Sequence, residues 1–177
     1  MKQKEGYTAM WTVKEQYQIH DELLHDRIHN LMEALNKVKG AFSILIMTQN
    51  RIYACRDRFG FHPLSIGKLG DGYVVASETC ALDAIGATFI RDVEPGEVVS
   101  IDHHGLRSNF YHKDCHHMMC VMEYIYFSRP DSDIEGCNVH IFRKRSGKLL
   151  YEEHPIEADI VVPVPDSSLS AAIGYSE

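Results

Sequence analysis

Between Phe42 and Phe110 the chain alternates short apolar runs with turn-forming residues, a rhythm that few architectures other than a layered antiparallel sheet can accommodate. The runs are Phe42 to Met47, Ile52 to Ala54, Leu64 to Ile66, Tyr73 to Ala76, Thr88 to Val93, Glu97 to Ile101 and Leu106 to Phe110. Thr48-Gln49-Asn50 joins the first two as a hairpin, and Gly70-Asp71-Gly72, Pro95-Gly96 and His104-Gly105 punctuate the rest, each supplying residues that tolerate turn geometry. A helix is expected over Asp21 to Val38, because Leu24, Ile28, Leu31, Leu35 and Val38 recur at helical spacing, with Asp21 placed to cap it and Gly40 to end it. A shorter helix runs from a cap at Ser77 to Ile85, stopped by Gly86. Antiparallel strands with two flanking helices predict an α+β sandwich over 21–111, while residues 1–20 show no sustained period and are unassigned.

After Tyr111 the texture changes. Residues 112–119 form a polar connector, and a second, α/β part is expected over 120–177. It comprises the apolar and aromatic run Cys120 to Phe127, a polar loop from Ser128 to Gly136, a basic helix from Val139 to about Glu152, and the run Asp159 to Val164, which reads as a central strand. That strand empties into Pro165-Asp166-Ser167-Ser168, and Leu169 to Tyr175 opens a helix. Strand, short polar loop and helix N-terminus together make a standard seat for phosphate, since free backbone N–H groups and the helix dipole both point there. The seat requires 159–164 to stand in a sheet and the loop to open on a cavity. A parallel α/β domain needs further β-α units to cover its sheet, so the second domain is expected to be cut off at Glu177.

Charge and cysteine content exclude several classes. Lys and Arg total 18 against 25 Asp and Glu, a net charge of −7 that argues against a nucleic-acid binder. Absence of an apolar run near the ~20 residues of a membrane span, and of a signal-peptide apolar region, makes a soluble cytoplasmic protein the expectation. The 5 cysteines, an odd number at irregular positions, do not read as a disulfide framework.

Three motifs invite chemistry. Arg56-Asp57-Arg58-Phe59-Gly60-Phe61-His62-Pro63-Leu64 reads equally as a rigid turn held by Arg and Asp side chains or as part of a site. Cys80, in Ala76-Ser77-Glu78-Thr79-Cys80-Ala81-Leu82-Asp83, sits where a helix N-terminus could activate a thiol, but no partner base lies nearby and the small-buried-residue reading prevails over a nucleophile. His112, Cys115, His116, His117 and Cys120 have spacing that would allow a zinc site, against the reading of an exposed connector.

The run Met122-Glu123-Tyr124-Ile125-Tyr126-Phe127-Ser128-Arg129-Pro130-Asp131-Ser132, with Gly136, Asn138-Val139-His140, Arg143-Lys144 and Asp159 to Tyr175, resembles the amidophosphoribosyltransferases, also called glutamine phosphoribosylpyrophosphate amidotransferases. The Arg56 to Leu64 and Ala76 to Asp83 blocks and Arg91-Asp92-Val93-Glu94-Pro95-Gly96 agree, so the resemblance runs from about Leu31 to Glu177. It implies the back of an N-terminal-nucleophile glutaminase sandwich joined to the front of a type I phosphoribosyltransferase domain. In that family one domain releases ammonia from glutamine. The other uses it to displace pyrophosphate from phosphoribosyl pyrophosphate, giving 5-phosphoribosylamine, the committed step of purine synthesis. By residue-wise match, Asp166, Ser167 and Ser168 correspond to the pyrophosphate loop and Ser167 to the position serving Mg2+, a role that suits a hydroxyl beside a hard cation. Cys120 matches the first ligand of the [4Fe–4S] cluster carried by one branch of the family, whose other three thiolates would come from beyond this chain. The family is typically tetrameric.

The chain also departs from the family pattern. The glutaminase nucleophile is an N-terminal cysteine whose own amino group serves as base; Met1-Lys2 does not match it, so no glutaminase catalytic residue is assigned. The two acidic residues and Arg-Gly-Thr-Thr-type loop of the phosphoribosyl pyrophosphate signature would lie beyond Glu177. The expectation is therefore a fragment without either half-reaction by itself. Two alternatives stay open: a stand-alone His/Cys metal-binding protein centred on His112 to Cys120, and a non-catalytic partner completing another chain.

Overall fold

The computed structural model describes residues 21–112 and 114–177, with side chains from Arg27 onward. Expectations for residues 1–20, and for the side chains of Asp21 and Leu24, fall outside the described residues. The described residues form two compact units: one takes those up to Ser77 and those of 81–119, the other Glu78–Cys80 with Cys120–Glu177.

In the first unit, helix α1 (Asp21–Lys37) is followed by strands β1 (Ser43–Met47), β2 (Ile52–Arg56), β3 (Ser65–Leu69) and β4 (Gly72–Ala76). Helix α2 (Thr79–Ala84) then leads to β5 (Thr88–Asp92), β6 (Glu97–Asp102) and β7 (Gly105–Phe110). The strands pair antiparallel into two sheets, ordered β1-β2-β6-β7 and β4-β3-β5. The period of two along each strand decides what each face meets. Ala54 of β2 and Val99 and Ile101 of β6 point between the sheets, where they meet Ile66 of β3, Val75 of β4, Leu64 and Val93. Their neighbours Tyr53, Cys55 and Val98 point the other way, onto Leu35, Leu31 and Ile28 of α1. On the far side, Val74 and Ala76 of β4 meet Leu82 of α2 and Ala87. The outcome is four layers, helix on sheet on sheet on helix, as the sandwich reading anticipates.

Polar groups inside this unit are paired rather than excluded. Glu97, 1% exposed on β6, receives Arg91 in a two-pronged contact of 2.7 and 2.8 Å and the backbone N–H of Glu94 at 2.7 Å. Burial alone would push its carboxyl up, but the Arg91 guanidinium, Ser108 and the Glu94 amide outweigh that and hold it below its ordinary value of 4.5. A depressed carboxylate contributes stability that is present above the unfolded-state value and lost as pH falls through the folded one. Thermal melts of the wild type should therefore fall off on acidification below about pH 4.5, whereas Glu97→Gln should start lower and show a flatter acid limb. Parallel acid limbs in the two proteins would refute this assignment.

The second unit contains a π-helical turn (Glu123–Phe127), a minimal hairpin of β8 (Asp133–Ile134) and β9 (Cys137–Asn138), and two helices, α3 (Val139–Glu153) and α4 (Leu169–Ser176). Asn138 caps α3 by accepting the Ile141 N–H at 3.1 Å. Here the structure corrects one expectation. Residues 159–164 are not a strand and stand outside any sheet, with Ile160 74%, Val162 80% and Val164 78% exposed. The parallel sheet expected for this part is likewise absent from the described residues. A central strand exists only through ladder partners on both sides, and the described residues offer this run none. Among the described residues no helix is long and apolar enough to cross a membrane.

Candidate functional site

The loop after β2 is built from its two buried charges. Arg56, 1% exposed, spends its guanidinium on three backbone carbonyls: Nε to His62 O at 2.9 Å, Nη1 to Val93 O at 2.7 Å and Nη2 to Gly60 O at 2.9 Å. Asp57, equally buried, accepts the N–H groups of Phe59 at 2.8 Å, Phe42 at 3.2 Å and Phe61 at 3.3 Å. Gly60 lies at φ +62, and a Cβ there would come within 2.9 Å of Pro95 and 3.1 Å of the Arg56 guanidinium, so both conformation and space demand glycine. Residues 116–118 are stitched onto the same loop through His116 N to Arg58 O at 3.3 Å and Met118 N to Phe59 O at 2.8 Å. Of the two readings of this motif, the geometry favours the rigid turn: both charged side chains are turned onto backbone groups.

The cysteines of this region are poor nucleophiles. Cys55 is fully buried in β2 and its thiol is pushed up to about 12 by that burial. Cys80, 7% exposed, is also raised by burial, with the Ser132 hydroxyl pulling it down and the Glu78 carboxylate pushing it up. The histidine-rich stretch does not converge on one point. His112 accepts the Asp114 N–H at Nδ1 and approaches Arg58 at 3.5 Å, while His117 pairs with Glu94 at 3.2 Å. Among the described residues no group of three or more His, Cys, Asp or Glu is gathered to hold a metal ion. Cys120 is half-buried, and a [4Fe–4S] cluster needs four thiolates; the resemblance assigns one of them to this residue and the other three to residues beyond this chain.

Asp166, Ser167 and Ser168 form the turn that leads into α4. The Pro165-Asp166 peptide is cis, Asp166 is exposed, and Ser167 and Ser168 are half-buried. The Ser168 hydroxyl donates to Val164 O, and the Asp166 carbonyl accepts the Leu169 N–H at 3.3 Å. The loop is thus exposed to solvent, but the sheet that the sequence reading requires beneath a phosphate seat is missing, so that requirement fails and only the exposed turn and the start of α4 remain of the seat. One Ser hydroxyl cannot form an all-protein magnesium site, but it fits an ion held mainly by phosphate oxygens, as Mg2+ commonly is.

What holds this loop is a helix pair that the sequence pattern does not single out. A Cβ on Gly147 of α3 would fall 1.9 Å from Ala171 O, and one on Gly174 of α4 would fall 1.8 Å from Lys144 O, so the two backbones touch. Tyr175 adds an edge-on contact to Tyr151, rings 5.3 Å apart, and donates to His154 O at 2.9 Å. His140 Nδ1 is hydrogen-bonded to Ser170 Oγ at 2.9 Å. Arg143, 3% exposed, donates to the carbonyls of Tyr124 and Ser128, and burial lowers its pKa while the Glu78 charge opposes that. Glu78 accepts Arg129 N and Ser132 Oγ, both at 2.8 Å, and Thr79 accepts Asp133 N at 2.8 Å. Glycines at matching heights on two helices are the one available signal; Glu78 offers none, because its partner Arg129 lies 51 positions away.

Comparison with known proteins fits this arrangement. The family model described as "Glutamine amidotransferase domain" matches residues 11–84. The amidophosphoribosyltransferase of Bacillus subtilis (strain 168) is 53% identical over 154 residues, covering 87% of this chain and 32% of that protein. That of Staphylococcus aureus (strain MRSA252) is 49% identical over 148 residues, 83% of this chain and 30% of that protein. The solved structure of the B. subtilis glutamine phosphoribosylpyrophosphate (PRPP) amidotransferase complexed with ADP and GMP superposes with a TM-score of 0.82 at 52% identity, covering 84% of this chain and 33% of that one. A second solved structure, described as the allosteric regulatory enzyme of purine biosynthesis, superposes equally well at 0.82. The chain spans about a third of the length of the curated relatives it matches. By sequence and by fold, this chain belongs to the amidophosphoribosyltransferase family.

Proposed function

We propose that these 177 residues carry the back of a glutaminase domain and the front of a phosphoribosyltransferase domain, parts of an enzyme that makes 5-phosphoribosylamine from glutamine and phosphoribosyl pyrophosphate. The observation that carries this reading is a match at 53% identity over 154 residues, too long to lie within either unit alone. In it, the backbone N–H groups at the start of α4 receive the pyrophosphate oxygens, because a helix cannot satisfy its first-turn amides internally and its dipole favours an anion there. Ser167 would hold Mg2+ through its hydroxyl, and the ion would supply positive charge to offset that of the leaving pyrophosphate. The lack of a sheet under the loop weighs against a finished site, so affinity in this chain alone should be modest.

No thiol described in the first unit is both exposed and lowered toward the thiolate, and the first cysteine of the sequence is the buried Cys55. The 177-residue polypeptide by itself should thus release no ammonia from glutamine, yet magnesium pyrophosphate should shift the amide resonances of Ser167 to Ser170. Ser167→Ala should remove the magnesium dependence of those shifts. Turnover approaching that of a complete enzyme, or shifts scattered over the surface in place of this turn, would count against the reading. A second reading, a chain that completes another polypeptide in a homo-oligomeric family, is favoured by the bare apolar run at 160–164, which is built to be covered.

A further inference from the structure

Two features of the second unit hold α4 against α3. The backbone contact through Gly147 and Gly174 fixes how closely the helices approach, but helices in contact through glycine can still slide along each other. A directional bond is needed to set the register. Tyr175 to His154 O and the Lys144–Glu177 ion pair supply such bonds away from the loop, and the His140 to Ser170 hydrogen bond supplies the one beside it, because His140 stands in the first turn of α3 and Ser170, 3% exposed, stands in the first turn of α4. The His140 end is itself anchored, because its backbone N–H donates to Pro130 O at 2.9 Å and the neighbouring Val139 N–H to Ser132 O at 3.0 Å. Ser170 lies three positions after Ser167 on the segment whose amides meet the anion.

We infer that His140 is a positioning residue for the pyrophosphate loop. It touches no substrate; it holds Ser170, and through it the amides that open α4, where a diphosphate can use them. The inference rests on the loop reading proposed above. A preset array of donors binds better than one ordered by its ligand, so losing the bond should appear in affinity before it appears in global stability.

Titration of magnesium pyrophosphate into the 177-residue chain, followed at the Ser167 to Ser170 amides by NMR alongside thermal melts and amide exchange, tests this role. His140→Leu and Ser170→Ala should each weaken binding about fivefold to tenfold, as expected for one buried hydrogen bond. The double variant should be no weaker than either single, since both remove the same interaction. His140→Asn, which can keep a polar atom near the Nδ1 position, should recover most of the affinity. Exchange should quicken at Ser170 to Ala172 and remain unchanged along the middle of α3. A wild type that binds while His140→Leu binds equally well would overturn the role of His140 and spare the loop reading. A wild type whose loop amides do not move would overturn both. Loss of affinity with uniform loss of stability and no rescue by asparagine would reduce His140 to a packing residue and also overturn the inference.

Discussion

Asp57→Ala is expected to destabilise the first unit by about 3–5 kcal/mol, among the largest losses any single substitution can cause here. The weight of this carboxylate comes from three backbone donors, at Phe42, Phe59 and Phe61, that converge on its two oxygens inside the protein. Removing the side chain leaves those N–H groups without an acceptor, and each costs its desolvation penalty. Asp57→Asn should fall in between, because its amide nitrogen would oppose backbone donors at one of the two oxygen positions. With a urea m-value of roughly 1–3 kcal/mol per M, the alanine variant should lose at least about 1 M in midpoint. A midpoint within experimental scatter of wild type would mean that the carboxylate does not organise the loop. Arg56 should behave similarly, with lysine a poor substitute, since an ammonium cannot reproduce a fork that reaches the carbonyls of His62, Val93 and Gly60 together.

Gly147→Ala should invert an ordinary rule. Inside a helix, exchanging glycine for alanine usually gains about 0.5–1 kcal/mol of stability. At this position the added carbon would fall 1.9 Å from Ala171 O, well inside contact distance, and the atom it meets is backbone that cannot rotate aside. Separating α3 from α4 is the available relief, at an expected net cost of about 2 kcal/mol or more. Gly174→Ala should do the same from the other helix, and the double variant should cost less than the sum because both break one contact. The edge-on pair of Tyr151 and Tyr175 supplies a local readout: ring-current shifts of its protons should collapse in both variants. A stabilised Gly147→Ala protein would show that the two backbones do not touch.

Much of the first unit is legible in local pattern. The spacing of Ile28, Leu31 and Leu35 predicts the face that α1 lays on the sheet, and the alternation of Tyr53 and Cys55 with Ala54 assigns each face of β2. The turns at Thr48 and at Gly70 fall where the hairpins do. Such features depend on neighbours within a few positions. Residues 159–164 show the converse: an apolar run has strand character whether or not a ladder waits beside it, and nothing in its own composition reports the missing partners. The roles of Arg56 and Asp57 are undecidable from sequence for a related reason, since a charged pair beside a glycine reads the same whether it faces a ligand or the backbone. His140 and Ser170 lie 30 positions apart, and the motif that contains each gives no hint of the other. The pyrophosphate loop is legible through its helix start and through likeness to a known family, not through any gathered set of side chains.

The uncovered run from Ile160 to Val164 also governs how this polypeptide behaves in concentrated solution. It is uncharged and rich in β-branched residues, the composition from which intermolecular cross-strand stacks grow. Pro163 interrupts it, lacking the N–H that a growing stack would need at that rung. Replacing Pro163 by valine would restore that donor, and light scattering of concentrated solutions should then rise above that of the wild type.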